Sequence, residues 1–276
     1  MRRRRFGWTG VAVPVIGQGT WEMERHRAAA VAALRRGLDL GMTHIDTAEM
    51  YGDGKVEDLV GEAIQGRRRE MFLVSKVLPQ HASREGTIAA CERSLRRLRT
   101  DYLDCYLLHW PSRHPLAETI AAFERLVRDG KIRTWGVSNF NEEEVEEAVR
   151  LAGPRRVACN QVLYHLRERS IEHYVIPTCE RHEIAVVAYS PYGQGRFRPH
   201  PVLASVARER GATPRQVALA FLVRRPSVFT IPKAARIAHV EENAGAGDLR
   251  LTAEEVARIE EAFPPPRPRR GHLPFL

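Results

Sequence analysis

Eight short apolar runs, each followed by an amphipathic segment, most narrow what this chain can fold into. The runs are Val15–Gly17, Thr43–Asp46, Met71–Lys76, Leu103–Leu108, Thr134–Val137, Val157–Asn160, Ala185–Tyr189 and Ser227–Ile231. They are apolar continuously rather than at every second residue, the pattern of strands covered on both faces and so of a parallel sheet. Parallel neighbours need a crossover, and the intervening segments carry helical start and stop signals. Residues 26–40 read as a helix ending at Gly41, and 55–65 as one ending at Gly66. Ser83 opens a helix over 83–98. Asn141 precedes Glu142, Glu143 and Glu144, which sets acids at the positive end of a helix. Thr213-Pro214 opens 213–223, with proline in the first turn where its missing N–H is no loss.

Eight alternations without a break in composition predict one α/β domain over 1–276, a closed (β/α)8 TIM barrel, which typically needs about 250 residues. The rival is a doubly wound sheet. It calls for a GxGxxG turn after its first strand, and Gly17-Gln18-Gly19-Thr20-Trp21 lacks the third glycine. Ahead of the first strand, Phe6 to Pro14 around Gly10 predict an N-terminal β-hairpin that closes the barrel bottom.

Composition excludes more than it selects. No apolar run approaches the roughly 18 residues of a membrane span. Arg2–Arg5 resembles the basic start of a signal peptide, but Gly7-Trp8-Thr9-Gly10 interrupts what should follow, so a cytoplasmic location is expected. Cys91, Cys105, Cys159 and Cys179 form no CxxC pair, which argues against a disulfide framework or a metal site. A net charge of +9 is the electrostatic footprint nucleic-acid binders share. Here the basic residues are scattered, mostly over helix faces, and nucleic acid is not the expected partner. The exceptions to that scatter are two basic segments, Arg2–Arg5 and the tail over 264–270. Of the 43 basic residues only Lys55, Lys76, Lys131 and Lys233 are lysine, leaving 39 arginines. Lysine is the compact ammonium with a tunable pKa, so these few positions invite a chemical question.

In a barrel of parallel strands the active site is built at the C-terminal strand ends. Asp46 ends the second strand, Tyr51 follows in its loop, Lys76 ends the third and His109 the fourth. Four polar groups from three neighbouring strands therefore converge on one rim. A phenol titrates near 10 and holds its proton at neutral pH. Beside a carbonyl oxygen gaining negative charge, Tyr51 can donate that proton. Lys76 is expected to lower the Tyr51 pKa, with Asp46 holding the ammonium charged. His109 can donate a hydrogen bond to the same oxygen.

Ile45-Asp46-Thr47-Ala48-Glu49-Met50-Tyr51-Gly52, Val74-Ser75-Lys76, Leu107-Leu108-His109-Trp110 and Gly130-Lys131-Ile132-Arg133 with Trp135–Phe140 stand in one order along the chain. Asn160-Gln161, Ala188-Tyr189-Ser190-Pro191 and Ile231-Pro232-Lys233 follow. In these motifs, from residue 17 to 243, the sequence resembles the aldo-keto reductases. The resemblance implies reduction of aldehydes or ketones, with NADP(H) as cofactor or NAD(H) as the alternative. It assigns catalysis to Tyr51, Asp46, Lys76 and His109, with no metal.

For the cofactor the resemblance implies Ser138, Asn139 and Gln161 at the nicotinamide carboxamide and Tyr189 stacked on the ring. Asp46 joins them, with Gly19, Thr20 and Trp21 from the first strand's loop and Ser190 and Tyr192 near the pyrophosphate. Lys233 and Arg236 would meet the 2′-phosphate, His239 standing where many members carry arginine, and Glu242 and Asn243 would meet the adenine. Trp21, Met50, Leu78, His109 and Trp110 would wall the substrate. The loops after His109 and Tyr189 read as short, which predicts an open, shallow pocket. Gly17–Trp21 and Lys233-Ala234-Ala235 most resemble bacterial members acting on methylglyoxal and similar small reactive carbonyls. A monomer is expected. The alternative function is a nucleotide-sensing regulatory subunit on the same barrel.

Overall fold

In the computed structural model, which describes every residue except Pro199, His272 and Leu276, the strands number ten. They are β1 (Arg3–Arg5), β2 (Ala12–Pro14), β3 (Gln18–Gly19), β4 (His44–Asp46), β5 (Phe72–Val77), β6 (Leu103–Leu108), β7 (Ile132–Ser138), β8 (Val157–Leu163), β9 (Ala185–Tyr189) and β10 (Val228–Thr230). From β3 to β10 each strand pairs in parallel with the next in sequence. The ring closes because Gly17 N–H donates to Thr230 O at 2.8 Å and Thr230 N–H to Val15 O at 3.0 Å. Ile16 bridges Thr230 and Gly19 bridges Lys233, so the first strand pairs a little beyond Val15–Gly17, where its apolar run lies. The closed (β/α)8 barrel is the predicted architecture.

Helices cover the outside: α1 (Arg27–Asp39), α2 (Lys55–Ala63), α3 (Arg84–Leu98), α4 (Leu116–Arg128), α5 (Glu142–Ala152), α6 (Val175–Arg181), α7 (Pro201–Arg210), α8 (Pro214–Leu222), α9 (Ile237–Gly245) and α10 (Ala253–Ala262). Their starts are where the capping residues put them. Ser83 accepts from Gly86 N–H, and Asn141 and Thr213 each close a reciprocal box, with Glu144 and Gln216.

Side chains at every second strand position point into the barrel. Phe72, Val74 and Lys76 form one such row, and Cys105, Leu107 and His109 continue another. The lower rows are apolar and pack with Phe6, Val187 and Phe229, so the interior is filled at the bottom and polar at the top. His44, two residues below Asp46, is caged by Phe6 and Phe72 at ring-centroid distances of 6.0 and 5.5 Å. Both its ring nitrogens lack a partner among the described residues, and burial, aided by the Lys76 charge, pushes its pKa down to about 3. It is a neutral core residue.

The hairpin differs from the sequence expectation in its strands. Arg3–Arg5 pairs antiparallel with Ala12–Pro14, and Gly7–Thr9 form a 3₁₀ turn between them. A side chain at Gly7 would meet Glu183 O at 2.4 Å with φ at +54°, which only glycine avoids. Phe6 plugs the barrel floor, wholly buried. Two of the N-terminal arginines are therefore structural. Arg3 donates to Ala12 O and Thr43 Oγ1, and Arg4 to Arg225 O. Among the described residues no helix is long and apolar enough to cross a membrane.

Candidate active site

The strand ends bring Asp46, Lys76 and His109 to one rim, and the loop after Asp46 brings Tyr51 to them, with three left-handed residues, Gly52 to Gly54, following it. The Lys76 ammonium, wholly buried, donates to Asp46 Oδ1 at 2.6 Å, Thr47 O at 2.8 Å and the Tyr51 hydroxyl at 3.3 Å. All three of its protons have acceptors, which is what a buried ammonium requires. Gln161 Nε2 donates to Asp46 Oδ2 at 2.7 Å, so the carboxylate is held from both sides, and Thr20 Oγ1 donates to the Asp46 backbone carbonyl. The His109 ring lies edge-to-face with Tyr51 at 5.9 Å, and its Nδ1 is buried without a partner among the described residues.

The electrostatics correct one expectation. Burial alone would push the Lys76 ammonium down, but Asp46 and Tyr51 outweigh it and hold it above the ordinary lysine range. Tyr51 is not lowered. Burial pushes the phenol above its usual value, and the pull of Lys76 does not cancel that, so Tyr51 is a phenol at neutral pH. Burial, with Lys76 adding to it, drives His109 well below the usual histidine range, so the ring is neutral.

Tyr51 and His109 open onto a cavity of about 560 Å³. Gly19, Thr20 and Trp21 line it, as do Ser138, Asn139 and Gln161, then Tyr189, Ser190 and Tyr192, and finally Lys233 and His239. These amide groups are already tied together. Tyr189 OH donates to Asn139 Oδ1 at 2.9 Å, Asn139 Nδ2 donates to His109 O, and Ser138 Oγ donates to Gln161 O. Trp21 and Met50 stand at the rim, and Trp110 walls the Tyr51 end.

Five predicted residues fall outside the cavity wall, the first being Lys76, which is wholly buried. Leu78 is half-buried outside the lining, its N–H donating to Glu49. Asn243 is buried behind the wall and accepts from Tyr192 OH at 2.9 Å, while Glu242 accepts from Thr213 Oγ1. Arg236 lies just beyond, donating to His239 Nε2 at 3.1 Å. Arg215 and Phe275 were not read from sequence but line the cavity. Arg215 lies over the Tyr192 and Phe197 rings at 5.0 and 5.3 Å. Phe275 packs on Trp110 at 5.8 Å, so the chain's end adds a wall the sequence reading had left open. The tail reaches it by way of His173, whose Nε2 bonds Pro266 O, and Gly271, which bonds Asn141 and Glu142. The proline spacing carried no signal of that return path.

The sequence model of the Aldo/keto reductase family matches residues 15–263. Methylglyoxal reductase YeaE of Escherichia coli is 46% identical, over 97% of each chain. The glyoxal reductase of Bacillus subtilis is 35% identical, over 91% of this chain and 89% of its own. Among solved structures, an aldo-keto reductase from Klebsiella pneumoniae in complex with NADPH superposes with a TM-score of 0.94 at 49% identity, covering 100% of this chain and 99% of its own. These relatives are all named as reductases, and the regulatory-subunit alternative finds no support in them.

Proposed function

The chain belongs to the aldo/keto reductase family as an NADPH-dependent carbonyl reductase, and we propose that Tyr51 is its proton donor and small aldehydes and α-dicarbonyls its substrates. The observation that carries the first part is the buried Lys76 ammonium, bonded at once to Asp46 and to a phenol on the cavity wall.

The cavity suits a dinucleotide. Amide side chains and the Tyr189 ring stand at the Tyr51 end, and Lys233 and Arg215 supply positive charge at the other. Ser138, Asn139, Gln161 and Tyr189 would hold the nicotinamide, with Gly19, Thr20, Trp21, Ser190 and Tyr192 along the cleft. Lys233, with Arg236 and His239 beside it, would take the 2′-phosphate. Bound NADPH supplies the hydride that reduces the carbonyl carbon.

The rest falls to the chain's own residues. Tyr51, kept protonated by burial, donates its proton to the carbonyl oxygen as negative charge gathers there. The tyrosinate left behind faces the Lys76 ammonium, which Asp46 and Gln161 hold in place. Neutral His109 donates a ring N–H to the same oxygen and so fixes which face of the carbonyl is presented. Trp110 and Phe275, packed on each other, wall that end and Trp21 adds a further aromatic face to the cavity, which favours a compact substrate. The names of the Escherichia coli and Bacillus subtilis relatives support this class.

The test follows NADPH absorbance with methylglyoxal and with an aromatic aldehyde, for the native chain and Tyr51→Phe. The native enzyme turns over both and prefers methylglyoxal, and Tyr51→Phe binds NADPH but does not turn over. Retained turnover in Tyr51→Phe removes the proton-donor assignment, and a preference for the aromatic aldehyde removes the substrate class.

A further inference from the structure

Glu49 and Glu57 bracket Tyr51 in the chain, and neither takes part in the chemistry above. Both are nearly or wholly buried, at 6% and 0% exposure. Glu49 Oε1 accepts from Leu78 N–H at 2.9 Å and contacts His81 Nδ1 at 2.9 Å, and its Oε2 accepts from Arg93 at 3.2 Å. Glu57 accepts from Ser75 Oγ at 2.6 Å and from Arg97 at 3.2 Å. Arg93 and Arg97 are four residues apart on α3 and so share one helix face. One helix therefore reaches the Tyr51 loop on both sides.

Between these two contacts the backbone passes through Gly52, Asp53 and Gly54 at φ of +55°, +53° and +87°. Glycine and aspartate visit this region as single residues, but three left-handed residues in succession are not a conformation that local preference sustains. Something outside the loop must hold it. Arg97 occupies the room a side chain at 54 would need, its Cζ 2.2 Å from where a Cβ would stand. Ser75, the other partner of Glu57, precedes Lys76 on β5. Alternation sends Ser75 outward to α2 and Lys76 inward to the site. Through Glu57, the strand carrying Lys76 is tied to the helix that follows Tyr51.

We infer that Arg93–Glu49 and Arg97–Glu57–Ser75 are positioning residues that hold the Tyr51 hydroxyl within reach of Lys76. The inference rests on Tyr51 being the proton donor. These pairs set a distance and contribute no group to the reaction. Loosening them lowers kcat and leaves the cofactor cleft, built from other strands, unaffected.

The experiment compares Glu57→Gln/Arg97→Met, Glu49→Gln, Arg97→Lys and Tyr51→Phe with the native chain. Turnover of methylglyoxal, NADPH Kd by fluorescence titration and Tm are measured for each. Removing both charges at the Glu57 anchor leaves no unpaired buried ion and lowers kcat about 10- to 100-fold, the scale of a misplaced reacting group. NADPH Kd stays within about twofold, and Arg97→Lys, which keeps a cation beside Glu57, recovers most of kcat. Should the double variant not fold, Glu49→Gln carries the same reading, with kcat reduced several-fold at unchanged Kd. Native kcat in the folded anchor variants, or kcat and Kd worsening together, overturns the inference. If Tyr51→Phe is inactive while the anchor variants are native, the anchors alone are wrong. If Tyr51→Phe turns over, the donor assignment fails and the anchors fail with it.

Discussion

Beside Tyr51 the charges of Lys76 and Asp46 are buried and spoken for, whereas those of Lys233 and Arg236 are out in water. Lys76 is wholly buried with three acceptors, and Asp46 is gripped by an ammonium and an amide. Lys233 and Arg236 are exposed, and Arg236 bonds the His239 ring. Charge interactions are strong where water is excluded and weak where it is not. The buried end suits stabilising charge that develops during reaction, and the exposed end suits choosing and attracting an anion.

The comparison is tested most severely at Lys76. Lys76→Met should abolish turnover to below about a thousandth and, by leaving Asp46 buried without its partner, cost about 3–5 kcal/mol of stability. Turnover assays with a denaturant unfolding curve check both, and a folded, active variant would erase the distinction between the ends. At the exposed end the expected loss is smaller. Lys233→Ala should weaken NADPH about tenfold, leave NADH unchanged and spare kcat at saturating cofactor, as titration with each cofactor would show. Equal losses for both cofactors would take Lys233 away from the 2′-phosphate.

Raising salt from low to physiological strength should then weaken NADPH binding a few-fold while kcat stays level. A fall in kcat of the same size would mean that the buried end is also screened. Smallest of all is the pH response. The donor form of Tyr51 is the protonated one, present below its raised pKa, and the neutral form of His109 is present above its lowered pKa. Both needed forms coexist over about pH 7 to 9, so kcat should be flat there and fall only beyond. A kcat that titrates near pH 7 would contradict the buried reading of either group.

Much of this was legible before any coordinates. The apolar runs placed the strands to within three residues at either end, because burial on both faces demands continuous apolar segments. Ser83, Asn141 and Thr213 marked their helices because orphan N–H groups need short polar caps. The scarcity of lysine was informative, since two of the four lysines, Lys76 and Lys233, stand in the cavity region. What was missed depended on distance in sequence. Phe275 reaches Trp110 from 165 residues away, and Arg97 reaches Gly54 from another helix. The resemblance put Leu78 in the wall, but it lies outside the lining and its N–H donates to Glu49.

The sequence by itself determined a barrel of eight alternating units, because each apolar run needs two covered faces and each helix a capped start. It also set Asp46, Lys76 and His109 at strand ends on a single rim. The tertiary structure decided how those groups are charged. Lys76 alone argued for an acidified tyrosine, yet burial outweighs its pull and keeps Tyr51 a phenol. Desolvation depends on everything packed around a group, and no local pattern of residues encodes that sum.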